Sequence, residues 1–214
     1  SLRYKAIGIY SESDMADSNV PKRPGTMAGD IKIWDANGNG EINSLDRIRQ
    51  DLTDIPQIVY GVNLGITWKQ FDLSLLFQGQ AKVINTIQET WVDPSSGGAG
   101  NLMQWWTEDM WTPENTDGTK PRLGTPNKIN GTTFTNINAA FFKLKNAEIG
   151  YTLPVAVREK IGVANARVYL SGTNLFSFDH MRGMGIDPEA TGSGYGGWAL
   201  NPQRLINLGV NVSF

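Results

Sequence analysis

The last nine residues, Ile206 to Phe214, alternate strictly between apolar and small or polar side chains. Ile206, Leu208, Val210, Val212 and Phe214 fall on one side, and Asn207, Gly209, Asn211 and Ser213 on the other. Successive side chains of an extended chain point to opposite faces, so this is a strand with one apolar and one polar face. The pattern recurs. Tyr60, Val62, Leu64, Ile66 and Trp68 alternate with Gly61, Asn63, Gly65 and Thr67, and after Lys69-Gln70 the residues Phe71, Leu73, Leu75 and Phe77 alternate with their neighbours. Two further strands are expected at about 141–153 and 165–178. Phe142 and Leu144 are out of phase with Ala147, Ile149, Tyr151 and Leu153, which predicts a bulge near Asn146.

Half-apolar strands build either a soluble sandwich or a membrane barrel, and the connections separate the two. Lys69-Gln70 is a two-residue turn, and 154–164 is a short link with Pro154 and Gly162, whereas 82–140 and 179–203 are long. Tight ends alternating with long ends is the rule for outer-membrane barrels, with short turns in the periplasm and long loops outside the cell. If the final strand descends to the periplasm, every long connection lands outside. The expected fold is therefore all-β: antiparallel strands at about 57–68, 71–81, 141–153, 165–178 and 204–214, preceded by an extracellular loop region over 1–56. Strands of this length satisfy the ~9–11 residues a tilted strand needs to cross hydrocarbon, and no apolar run approaches the ~18 of a spanning helix.

Composition narrows the function. Nineteen basic against 21 acidic residues give a net charge of −2, without the basic stripe that a nucleic-acid binder needs. There is no cysteine, so no disulfide, thiolate metal site or cysteine nucleophile. His180 is the single histidine, which leaves a zinc cluster or a Ser–His triad little to build on. The glycine-rich run 192–197 precedes no helix pattern, and Glu108-Asp109, Asp187 and Glu189 read as solvated loop carboxylates. No enzyme is expected. The chain opens Ser1-Leu2-Arg3-Tyr4, without an initiator Met or a signal peptide, so a piece of something longer is expected.

The strongest local signal is the run from Asp35 to Asp46. Asp35, Asn37, Asn39, Asn43 and Asp46 occupy positions 1, 3, 5, 9 and 12 of a twelve-residue loop, with Gly40 at the sharp turn and Ile42 as anchor. Hard oxygens at this spacing can wrap one Ca²⁺, Glu41 giving its backbone carbonyl. Asp46 replaces the usual bidentate Glu, so the expected affinity is in the ~10⁻⁴–10⁻³ M class of extracellular modules. A metal-free turn built on Asn and Asp side chains is the other reading. Trp91, Trp105, Trp106, Trp111 and Trp198 fall in the long loops, where they either meet a sugar or protein partner or pack the loops together.

The run Gly29-Asp30-Ile31-Lys32-Ile33-Trp34-Asp35 through Asp46-Arg47 resembles a signature segment of the SusC/RagA-like TonB-dependent outer-membrane transporters of Bacteroidetes. So, in the same order, do Pro56–Gly61, Phe71–Gly79, Leu144–Pro154, Val168–Phe176, Asp187-Pro188-Glu189 and Leu208–Phe214. The resemblance implies a plugged barrel of about 22 strands, of which this chain is the C-terminal part. It implies TonB-powered uptake of oligosaccharide or peptide beneath a SusD-like lipoprotein lid, with TonB reached through an N-terminal part absent here. It also makes Phe214 part of the signal read by the barrel-assembly machinery, and outer-membrane lipid the solvent of the apolar face. The alternative of another class is a soluble secreted β-domain, stabilised by Ca²⁺ and binding carbohydrate.

Overall fold

The structure is a computed structural model that describes residues 2–87, 92, 102–124, 131–189 and 201–214. Four short strands come first: β1 (Leu2–Tyr4), β2 (Ala6–Ile9), β3 (Ile31–Ile33) and β4 (Arg47–Arg49), with helix α1 (Glu12–Ala16) after β2. Two long strands follow, β5 (Ile58–Trp68) and β6 (Phe71–Ala81), then β7 (Ile84–Thr86), the one-turn helix α2 (Gln104–Thr107) and β8 (Asn136–Asn138). The chain continues through β9 (Phe141–Thr152), helix α3 (Val155–Ile161), β10 (Asn165–Asp179) and β11 (Leu205–Ser213). No helix among the described residues is long and apolar enough to cross a membrane.

The alternating segments pair into one antiparallel sheet in the order β11-β10-β9-β6-β5. Its register lines up the apolar phase of all five strands. Ile66 faces Leu73, then Ile149, Leu170 and Leu208; Trp68 faces Phe71, then Tyr151, Val168 and Val210. The opposite face carries Thr67, Asp72, Gly150, Arg167, Tyr169 and Asn211 at the same end. One sheet therefore has one continuous apolar face and one polar face.

The expected bulge lies at the predicted place. Leu76 pairs with Asn146 but Phe77 pairs with Leu144, which leaves Lys145 unpaired. At the same level β10 passes from Thr173 to Phe176, and Asn174 takes a left-handed φ of 51°. Because a one-residue slip swaps the faces of a strand, these extra residues put Phe142, Leu144 and Phe176 back on the apolar face. An aromatic row results: Phe77 stacks on Phe142 at 5.3 Å, and Phe176 meets Phe178 at 5.4 Å.

The apolar face is not a core. Leu64, Ile66 and Leu208 stand 48, 62 and 76% exposed, and no second sheet covers them among the described residues. A water-soluble sandwich would bury this face. The outer strands β5 and β11 each pair on one side only.

The buried core lies instead in the segments expected as loops. Tyr4, Ile31, Ile33, Ile42, Val83, Ile87, Trp106, Ala139, Met181 and Ile186 form one cluster. It draws residues from before β5, from between β6 and β9, and from after β10. Three two-stranded ribbons, β1–β4, β2–β3 and β7–β8, frame it. At ~1.5–3 kcal/mol for each large apolar side chain withdrawn from water, the cluster is enough to fold these connections into a cap at the long-loop end of the sheet.

Candidate functional site

At the cap end of the polar face, β9 presents Lys143 and Lys145, two residues apart and so on one side of the strand. Lys143 Nζ donates to both oxygens of Asp187, at 2.6 and 2.7 Å, and to Glu189 Oε2 at 2.8 Å. Lys145 Nζ donates to Glu189 at 2.8 and 3.1 Å. The Lys143 side chain is 3% exposed. Gln80 on β6 donates to the Pro188 carbonyl at 3.4 Å, and the Asp187 amide donates to Asn201 Oδ1 at 3.0 Å. The segment that leaves β10 is thus folded back over the polar face and clamped there. Burial pushes the Glu189 carboxyl up, but its bonds to Lys143 and Lys145 outweigh this and hold it below the usual range. Beside the clamp is a cavity of about 180 Å³, lined by Lys143, Asn174, Asp179, Arg182, Asp187 and Arg204.

The clamp is a feature that reading the sequence missed. Asp187 and Glu189 appeared there as solvated carboxylates, and the structure corrects this. Their partners lie 44 and 46 residues earlier in the chain, a pairing that only the folding of a loop onto its strand creates.

A second cluster sits at the short-turn end of the same face. Arg167 on β10 reaches across β9, its Nε 3.0 Å from Asp72 Oδ1 on β6 and its Nη2 in contact with Asp72 Oδ2. Nη2 also donates to Glu148 at 2.7 Å. Gly150 makes the crossing possible, because a Cβ there would fall on the guanidinium. Tyr169 covers Gly209 in the same way, and Arg167 lies 5.2 Å from its ring centroid. One guanidinium faces two carboxylates, so this patch is acidic.

The 35–46 loop is wound around its acids. Asp35 accepts from the amides of Gly38, Asn39 and Gly40, and Asp46 from those of Ala36 and Asn43. Asn37 and Asn39 each accept from the amide two residues on. Asp46 is fully buried. Burial raises its pKa, but amide hydrogen bonds from Asn43, Ala36 and Asn37 prevail and hold the carboxyl below the usual range. Asp35 and Asp46 are the two charged side chains of the expected oxygen set. The Glu41 side chain does not join them: among the described residues no three of His, Cys, Asp or Glu converge as a metal cluster. What the loop shows is a turn held by its own Asp and Asn side chains.

The tryptophans divide. Trp106 and Trp111 are 2 and 8% exposed, so of the two readings, partner contact or loop packing, these two rings take the packing one. Trp105 is partly buried against the same core. Trp91 and Trp198 lie outside the described residues. Trp111 explains part of the Gly29-Asp30 signature, since its ring occupies the space a Cβ on Gly29 would fill. Asp30, fully buried, ties the turn at Met27 to Arg122 through bonds of 2.9 and 2.8 Å. Phe214 is 97% exposed, just beyond β11 at the short-turn end.

No family model matches the chain. Among curated proteins it is similar to TonB-dependent receptor P3 of Formosa agariphila, 30% identical over 235 aligned residues, and to TonB-dependent receptor P26 of the same organism, 29% identical over 224. The matches cover 99 and 98% of the chain but 22% of each relative, so the chain spans about a fifth of their length. Among solved structures it is similar to the RagAB peptide transporter, with a TM-score of 0.69 at 25% identity over 100% of the chain and 22% of that chain. The RagAB peptide importer in its closed-closed state gives a TM-score of 0.68 at 24% identity, over 100% of the chain and 23% of that chain. These relatives are receptors and transporters rather than enzymes. These likenesses support a fragment of a SusC/RagA-like TonB-dependent transporter, and the open sheet is consistent with part of its barrel.

Proposed function

We propose that this chain supplies a section of wall and the capping loops of a TonB-dependent importer that takes up oligosaccharide or peptide through the outer membrane. The observation that carries the reading is the sheet with one continuous apolar face and one polar face. Lipid is the solvent that leaves such a face uncovered at no cost, which is also the ground for preferring this reading to a secreted carbohydrate-binding domain. The two open edges call for further strands to close the barrel. The polar face then lines the lumen, and the cap stands outside the cell. There the cap meets a SusD-like lipoprotein lid; the RagAB names of the structural relatives support a two-component assembly. TonB acts through parts of the protein beyond this chain, and Phe214 serves the barrel-assembly machinery. Ca²⁺ held by Asp35, Asn37, Asn39, the Glu41 carbonyl and Asp46 stiffens the 35–46 loop.

The test is uptake by cells that carry the native full-length protein, with and without TonB and the neighbouring lipoprotein. Import of labelled oligosaccharides or peptides should vanish without TonB, and the lipoprotein should co-purify with the barrel. Extraction of the protein from cells without detergent, as a monomer, would refute the wall reading.

A further inference from the structure

Helix α3 joins β9 to β10 at the same end of the sheet as the Lys69-Gln70 turn. None of its residues is buried, and Val155, Val157 and Ile161 are 57, 40 and 58% exposed. Seven residues are too few for a helix to persist in water on propensity alone. Its end is capped: Gly162 takes φ 73°, the Val163 amide donates to the Arg158 carbonyl, and the Arg158 guanidinium reaches the Ala164 carbonyl. Among the described residues no apolar surface buries its valines and isoleucine.

The place where the helix begins suggests what that surface is. The last row of the apolar face at this end contains Trp68, Phe71 and Tyr151, the first two 64 and 46% exposed. Phe71 and Tyr151 are 4.8 Å apart, and Lys69 Nζ stands 4.8 Å from the Trp68 ring centroid. Rings at the end of an apolar band with a cation just beyond mark the level where hydrocarbon gives way to headgroups. Helix α3 starts three residues past Thr152, where β9 ends, hence at that level. Val157 and Ile161, four apart, share one helix face. Lys69, Arg158 and Lys160 outnumber Glu159 here, which suits lipid phosphate.

We propose that α3 is an interfacial anchor, with Val157 and Ile161 seated in the phospholipid leaflet on the short-turn side and Lys69 and Lys160 on its phosphates. This rests on the wall reading above. The anchor fixes the depth of β9 and β10 in the bilayer by a second contact besides the apolar band.

The test is spin-label accessibility in the native full-length protein, with cysteines outside this chain replaced, in nanodiscs of phosphatidylethanolamine and phosphatidylglycerol. Labels go at Val157→Cys, Ile161→Cys, Leu64→Cys on the apolar face and Leu45→Cys on the exposed cap surface. Labels at 157 and 161 should show an oxygen-to-nickel-complex accessibility ratio several-fold above that at 45 and close to that at 64. Nickel access at 157 and 161 with protection at 64 places the helix in water and overturns the anchor while the wall stands. Shielding of 157 and 161 from both reagents means that protein covers the helix, which also overturns it. Nickel access at 64 removes the wall reading itself.

Discussion

Replacing Lys143 by Met removes the ammonium that holds Asp187 and Glu189 and leaves a side chain of similar reach. The lysine side chain is 3% exposed, and its two partners are 16 and 23% exposed. Breaking a buried pair from one side costs about 3–5 kcal/mol, because the remaining charge is stranded. Here the carboxylates keep some solvent, and Lys145 still binds Glu189, so the low end applies, about 3 kcal/mol. Opening of the 181–189 segment should then rise about 150-fold, as 1.4 kcal/mol is tenfold. Hydrogen exchange of that segment, compared in the parent and the variant at equal pH, reads this directly. Lys143→Met combined with Asp187→Leu should recover part of the loss, since an uncharged pair strands less charge. Protection of 181–189 within about twofold of the parent in Lys143→Met would show that the clamp holds nothing, and that apolar contacts around Met181 and Ile186 fix the loop instead.

The same clamp should respond to pH. Its Glu189 is held below its ordinary 4.5, so its contribution is fully present above that value and is lost as pH falls through the lower folded one; protection of 181–189 should hold constant from neutral pH to about 5 and decline only below 4.5. Gly150→Ala should displace the Arg167 guanidinium from Asp72 and cost about 1–3 kcal/mol in thermal unfolding, with Ser74→Ala, on the same polar face, near neutral as the control. Trp106→Ala should cost the cap about 3–5 kcal/mol, seen as faster exchange across β3, β7 and β8 while β6 and β9 stay protected. Calorimetry should find Ca²⁺ binding to the 35–46 loop at ~10⁻⁴–10⁻³ M, lost in Asp46→Asn; no heat at millimolar Ca²⁺ would remove the metal.

The alternation in 58–68, 71–81 and 205–214 was enough to give the strands and their faces, because a period of two is a local property that any extended chain must display; the choice of a membrane over a sandwich rested on the alternation of tight and long connections. The bulge at Lys145 was legible too, since a slip of phase between Leu144 and Ala147 has only one remedy if both residues stay on one face. The Asp and Asn side chains of the 35–46 loop were likewise local, since each accepts from amides two to ten residues away. Tertiary structure alone decided the rest. Lys143 meets Asp187, Arg167 meets Asp72 across Gly150, and Trp106 joins the core of the cap, because each partner lies tens of residues away and no periodicity encodes that distance. Burial turned two tryptophans from recognition candidates into packing, for the same reason: whether a ring is covered depends on what folds over it. The sequence determined which side of each strand avoids water, and the fold determined what stands against the other side.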